Sequence, residues 1–287
     1  MQIVTDRGCD ISKEQLQGVK ITYLPLRINL DGKVYNSGED LQPEEFYDLL
    51  ATTESLPTTS LPSPGEIEQI YRRLAEDDPE ILSIHISSGL SGTYNSACLA
   101  ASQIKNALIH LVDSHTLSAA LGWQVEAAAR AVKSGWTMER ITQLIAKVSD
   151  VTDGMFTLDT LKYLIHGGRI SHIKGLVASL LNIKPIIGVD KITGKYFQQG
   201  QEITFKRAIR KLVTTVEKLH PAGSSIRVQI VHGKNPEAVE ILRGFLAATF
   251  DCQWLPTIAV GPVLGAHTGP GLIGLIVGPG TLSAELP

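Results

Sequence analysis

Three glycine-rich turns hold the residues of this chain best suited to binding an anion. The first, SSGLSGTYNS at 87–96, offers the hydroxyls of Ser91 and Thr93 and backbone N–H groups at a helix start. The second, GGRIS at 167–171, sets Arg169 behind two glycines that let the backbone turn sharply and aim the guanidinium inward. A planar guanidinium donates two parallel hydrogen bonds to a carboxylate or phosphate. The third, GPVLGAHTGPGLIG at 261–274, carries His267 among five glycines. Each also has a plainer reading: a structural turn, a surface arginine at a helix end, a structural histidine. One chemistry shared by three distant turns predicts a single composite pocket for a small anionic head group.

Catalytic and cofactor readings are weaker. GLSGT at 89–93 resembles a nucleophile turn around Ser91, but Thr93 stands where G-x-S-x-G requires glycine. His267 is the candidate base for such a serine. GPGLIG at 269–274 matches the dinucleotide spacing formally, yet Pro270 lies inside it and thirteen residues remain for the acidic ribose contact. No Walker A sequence occurs. Cys9, Cys98 and Cys252 form no CxxC pair, and the histidines form no HExxH spacing, so neither a metal nor a cofactor is expected.

A length of 287 residues suits two domains better than one core. A formal charge of -3 gives no electrostatic footprint for nucleic acid. The opening residues MQIVTDRGCD do not read as a secretory leader, and no run of about 18 apolar residues occurs. A reduced, cytoplasmic protein is the expectation. Lys206, Arg207, Arg210 and Lys211 share one helical face. That face is either simple solvated surface or a dock for an acidic partner or an anionic membrane.

The elements that must position the three turns alternate in the first half. QIVTD, EILSIHIS and ALIHLVDS read as strands, with helices after the second and third. That order predicts a parallel sheet covered by helices on both faces, with Asp6, Ser87–Ser91 and Asp113–Ser114 at its carboxyl edge. Ser63, Pro64 and Glu66 form a capping box, so the turn TTS at 58–60 should sit just before a helix start. ITYLPLRINL reads as a further β-rich segment that turns at Asp31–Gly32 toward KVYN. Beyond Asp150 the pattern becomes mixed: a hairpin turned at Thr193–Gly194, two helices, and a final strand, glycine-rich loop and strand. A boundary near residue 152 follows, with an α/β/α domain over 1–152 and a mixed-sheet α/β domain over 153–287.

Taken in order, these motifs resemble the DegV family of bacterial lipid-carrier proteins. The resemblance runs through IVTD (3–6), TSLPS (59–63), ISSGLSGTYNSA (86–97), VDS (112–114), YLIHGGRIS (163–171), KPIIGV (184–189), HGKNPEAVEIL (232–242) and GPVLGAHTGPG (261–271). It implies a two-domain α/β fold with a long-chain fatty acid in a tunnel between the domains. It also implies that Thr59, Ser60, Ser91, Gly92, Arg169 and His267 surround the carboxylate. The family includes subunits that present the acid to a separate fatty acid kinase, whose acyl phosphate product enters phospholipid synthesis. The protein would then be a carrier without catalytic residues; the alternative is a small serine lipid hydrolase using Ser91 and His267. Two departures stand out: Arg7 where the family has a small Ser or Thr, and Leu61 where it has glutamine.

Overall fold

A computed structural model describes residues 1–173 and 183–287 of the chain. Its first half contains β1 (Gln2–Asp6), α1 (Lys13–Leu16), β2 (Ile21–Leu24), β3 (Arg27–Leu30), β4 (Lys33–Asn36) and α2 (Pro43–Thr52). There follow β5 (Thr58–Ser60), α3 (Pro64–Asp77), β6 (Glu80–His85), α4 (Thr93–Ser102), β7 (Leu108–Asp113), α5 (Ser118–Lys133) and α6 (Met138–Val151). The second half continues with β8 (Asp153–Thr157), α7 (Lys162–His166), a 3-10 turn at Arg169–His172, β9 (Lys184–Val189) and β10 (Tyr196–Glu202). Next come α8 (Phe205–Val216), β11 (Ser225–His232), α9 (Pro236–Thr249), β12 (Asp251–Trp254) and β13 (Ile258–Ala259). The chain closes with α10 (Pro262–Thr268), β14 (Ile273–Pro279) and α11 (Leu282–Glu285).

The first sheet is parallel throughout, in the order β2-β1-β6-β7. The second is mixed, in the order β10-β9-β8-β14-β11-β12, with β13 also beside β11. Its neighbours are antiparallel except where β12 and β13 run parallel to β11. The expected α/β class, with one parallel and one mixed sheet, is the one observed.

Side-chain alternation along the strands explains the layering. Val4 and Ile81 face α3 and α4, while Ile3 and Leu82 face the opposite way toward α5 and α6. In the second sheet Phe156 and Ile276 point back to that same central layer, and Met155 and Leu275 point out to α8 and α9. Helix α5 therefore lies between both sheets. It is buried on nearly every side, which accounts for its alanine-rich sequence.

A third, small antiparallel sheet, β4-β3-β5, contains the expected turn at Asp31–Gly32 between RINL and KVYN, and adds β5, which was not expected. Pro25 divides ITYLPLRINL, because proline cannot donate to a ladder, and the chain leaves the parallel sheet after Leu24 to start β3 at Arg27. Residues 58–60 are consequently a strand, with Thr59 opposite Ile28, and not the turn expected from TTS. The capping box on α3 forms as expected, with Ser63 and Glu66 exchanging hydrogen bonds.

Candidate functional site

The carboxyl edge of the parallel sheet is organised by Asp6. Its fully buried carboxylate accepts the Gly8 N–H at 2.8 Å and the Ile86 N–H at 2.9 Å, and pairs with His85 Nδ1 at 3.0 Å. Asp6 thus fixes the start of the 86–92 loop and is turned inward. Within that loop the Ser87 hydroxyl donates to the Gly194 carbonyl at 2.8 Å, joining it to the tip of the β9–β10 hairpin. The Ser91 and Thr93 hydroxyls are 2.9 Å apart, and Gly92 is the N-cap of α4.

Arg169 sits where expected. Gly168, at φ +75°, reverses the chain after α7, and the guanidinium Nη1 donates to the Gly167 carbonyl at 2.6 Å. The position of His267 differs from expectation. It lies in the last turn of a buried helix, α10, and not in a strand-to-strand loop. Pro262 opens that helix at a position where no N–H is needed, and Gly269, at φ +74°, ends it. Helix α10 packs through Val263 and Ala266 onto Ile28, Phe46 and Tyr47 of the small sheet and α2. That packing brings His267 Nε2 to 2.9 Å from the Thr59 hydroxyl.

His267 is only 9% exposed, and its Nδ1 has no hydrogen-bond partner. Burial, reinforced by the positive charges of Arg169 and His166, lowers its pKa to about 4, so the ring is neutral at physiological pH. Gly167 lies flat against the ring: a Cβ there would come within 2.0 Å of Nδ1.

Thr59, Ser60, Ser91, Arg169 and His267 all line one cavity of about 290 Å³. Gly92 lies just outside, in an open groove bounded by Ser88–Gly92 and Gly167–Arg169. The cavity wall is otherwise apolar, and Leu117, Tyr196 and Leu264 are shared with a second, deeper cavity of about 40 Å³. The deeper one is lined by residues such as Ala120, Phe156, Val260 and Ile276, between α5 and the second sheet. A polar mouth holding one cation thus opens into an apolar interior, the shape of an amphiphile with an anionic head.

The two sequence departures separate here. Arg7 stacks over the Tyr23 ring at 4.2 Å and bonds Glu39 at 3.4 Å, off the cavity lining. Leu61 is part of the lining and abuts Gly92 at the rim.

Asp10, which sequence reasoning passed over, braces the site from behind. It accepts the Gly261 N–H at 2.9 Å at the start of α10 and the Ser118 hydroxyl at 2.5 Å at the start of α5. Burial raises its pKa to about 6. An acid placed four residues after Asp6, in the loop beyond β1, was the available signal. Tyr196, which joins the two cavities, carried none beyond its place at a strand start.

The arrangement does not build a nucleophile. Ser91 is bonded to Thr93 and not to His267, whose bonded nitrogen is occupied by Thr59. Among the described residues no carboxylate orients the histidine, so the base and orienter of a serine hydrolase are missing. No group of three metal-ligating side chains occurs among the described residues. No helix among them is long and apolar enough to cross a membrane.

Known proteins share this framework. A DegV domain-containing protein of Clostridium acetobutylicum is 32% identical over 276 residues, covering 96% of this chain and 97% of the relative. The structure of a DegV family protein from Thermus thermophilus, described as fatty-acid-binding, superposes with a TM-score of 0.86 at 28% identity, over 97% of this chain and 99% of that one. DegV of Bacillus subtilis, described as a fatty acid binding protein, matches with a TM-score of 0.86 at 29% identity, over 96% of this chain and 98% of that one. The model for the family described as "Uncharacterised protein, DegV family" spans residues 1–279, which includes all three sheets and every turn of the site. With the ordered motifs, the two sheets and the composite pocket in agreement, the chain belongs to the DegV family.

Proposed function

We propose that this protein binds a long-chain fatty acid and presents its carboxylate to a fatty acid kinase, for acyl-phosphate formation in phospholipid synthesis. The observation that carries the reading is the continuity of a cationic mouth with an apolar interior. The carboxylate lies among Thr59, Ser60, Ser91, Gly92, Arg169 and His267, and the tail extends past Tyr196 between the units 1–152 and 153–287. Fatty acid binding by the Thermus and Bacillus relatives supports this.

The energetics fit. Each buried methylene contributes about 0.8 kcal/mol, so the tail provides most of the affinity. A bare buried carboxylate costs several kcal/mol unless paired and hydrogen-bonded. Arg169 is the charge partner, and the Thr59, Ser60 and Ser91 hydroxyls are the donors. His267, being neutral, can donate from Nε2 to the Thr59 hydroxyl, which leaves that hydroxyl's own proton for the carboxylate.

Presentation to a kinase is supported by the open groove beside Arg169, which leaves the head group accessible from outside. The chain itself has no nucleotide-binding motif, so the phosphoryl donor belongs to the partner. Lys206, Arg207 and Arg210 are exposed on α8 and suit an acidic partner or transient contact with an anionic membrane surface. The unpaired cysteines accord with a reducing, cytoplasmic setting.

The test is mass spectrometry of the purified protein, native and after solvent extraction, followed by titration of Arg169→Ala with hexadecanoic acid. A stoichiometric fatty acid released by solvent, and affinity reduced at least about tenfold in the variant, are expected. An empty protein that also takes up no added fatty acid would refute the reading.

A further inference from the structure

The apolar cavity does not end in an apolar wall. Thr116, Ala120, Gly154 and Val189 are shared between it and a third cavity of about 20 Å³, whose remaining lining is polar. A space of that size admits a single water or hydroxyl.

Two of its polar residues are buried with an unused atom. Gln124 is 2% exposed; its Nε2 donates to the Ser114 carbonyl at 3.0 Å, which fixes the orientation of the amide, and its Oε1 has no partner. Thr152 is 7% exposed, and its hydroxyl likewise has no partner. Of the other polar side chains in its lining, His115 and Lys191 are committed. His115 Nδ1 pairs with the Lys191 carbonyl at 2.9 Å, and Lys191 Nζ donates to the Asp150 carbonyl at 2.7 Å and to Asp153 at 3.1 Å. The Ser149 and Thr116 hydroxyls also line the cavity, but its buried orphan atoms are one acceptor and one hydroxyl able to donate or accept, matching the bonding capacity of a single hydroxyl group.

A terminal methyl in this position would leave both atoms unpaired in a buried site, a cost that native interiors avoid. We infer that the far end of the cavity is a polar recognition site formed by Gln124 and Thr152, which selects fatty acids carrying a hydroxyl at the tail end. The inference rests on the fatty-acid reading and adds to it a preference at the end opposite the carboxylate. An unsubstituted acid shares this end with a water or stops short of it.

The test is displacement of a fluorescent fatty acid by unsubstituted acids and their ω-hydroxy analogues, from dodecanoic to octadecanoic length. At the length that reaches Thr152, the hydroxy acid should bind about fivefold tighter than its parent, the gain of one net hydrogen bond. Thr152→Val and Gln124→Met should each reverse the order, strengthening the parent acid and weakening the hydroxy acid. Hydroxy acids that bind equally or more weakly at every length would overturn the inference while leaving the fatty-acid reading intact. So would a preference that survives both substitutions. Failure of all the unsubstituted acids to displace the probe would overturn the fatty-acid reading and this inference together.

Discussion

The Thr59 hydroxyl and His267 Nε2 stand 2.9 Å apart, although the residues are separated by 208 positions in the chain. One comes from an edge strand of the small sheet and the other from the last turn of α10. Their contact is the only hydrogen bond holding the imidazole among the described residues, since Nδ1 has none. Thr59→Val should therefore leave both ring nitrogens unsatisfied in a buried site, lowering stability by about 1–3 kcal/mol and weakening fatty acid binding about tenfold or more. Thr59→Ser should restore most of both. Thermal unfolding and fatty acid titration of the two variants measure it.

Gly167 controls the other side of the same ring. A Cβ there would meet Nδ1 at 2.0 Å, a separation no rotation of alanine relieves. Gly167→Ala should displace the imidazole and break the Thr59 contact, while the half-exposed turn keeps the chain folded. Binding should fall about tenfold or more with little change in far-UV circular dichroism, a pairing that separates site geometry from global stability. Retained affinity would show that the ring can move without consequence.

Acid should loosen this region through His267. Its folded pKa of about 4 lies below the ordinary 6.5, so the unfolded chain takes up the proton first. Its contribution is complete above about pH 6.5 and is lost as pH falls toward 4, by about 3 kcal/mol at full extent. Asp10 acts with the opposite sign. Burial raises its pKa from 3.8 to about 6, so its contribution is complete below about pH 3.8 and is lost as pH rises through 6. Between pH 4 and 6 the two partly cancel. Urea unfolding across that window should show a shallower rise of stability with pH in His267→Asn and a steeper one in Asp10→Asn.

A buried ionic network ties α5 to both halves of the chain. Glu126, fully buried, accepts from Arg227 and Arg130 at 2.7 Å each and from Gln15 at 2.9 Å. Arg227 also lies over the Trp123 ring at 4.5 Å, and Trp123 Nε1 donates to Gln229 at 2.7 Å. Glu126→Leu should strand a buried guanidinium and cost about 3–5 kcal/mol. The urea midpoint reports it, and a loss under about 1 kcal/mol would mean that Arg227 finds another partner.

Much of this was legible in the chain alone, for local reasons. Strand alternation, the Ser63–Glu66 capping box and the Thr193–Gly194 hairpin depend on neighbours within a few residues, so the α/β class and the mixed second sheet could be read directly. The residue types at the three glycine-rich turns suggested one composite pocket, and Ser91, Arg169 and His267 do line a single cavity. Local patterns misled where long-range packing decided. Glycine density suggested a loop around His267, but Pro262 and Gly269 cap a helix there, and Gly265 lets it approach Phe46 and Tyr47 closely. TTS suggested a turn, but β3 offered a strand partner once Pro25 had sent the chain out of the first sheet.

The sequence by itself determined the chemistry available: one arginine, one histidine and a set of hydroxyls on turns that must lie at the ends of apolar strands. Only the tertiary structure decided which of them meet. Arg7 and Leu61 looked equivalent as departures, yet Arg7 is drawn away by Tyr23 and Glu39 while Leu61 joins the cavity wall. The polar residues beyond the apolar interior, Gln124 and Thr152, are 28 positions apart by number and gave no motif. The physical reason is common to all of these. Periodicity and capping are set by the nearest few residues, whereas cavity lining, desolvation and the pairing of buried polar atoms depend on elements that come together only when the two sheets close on α5.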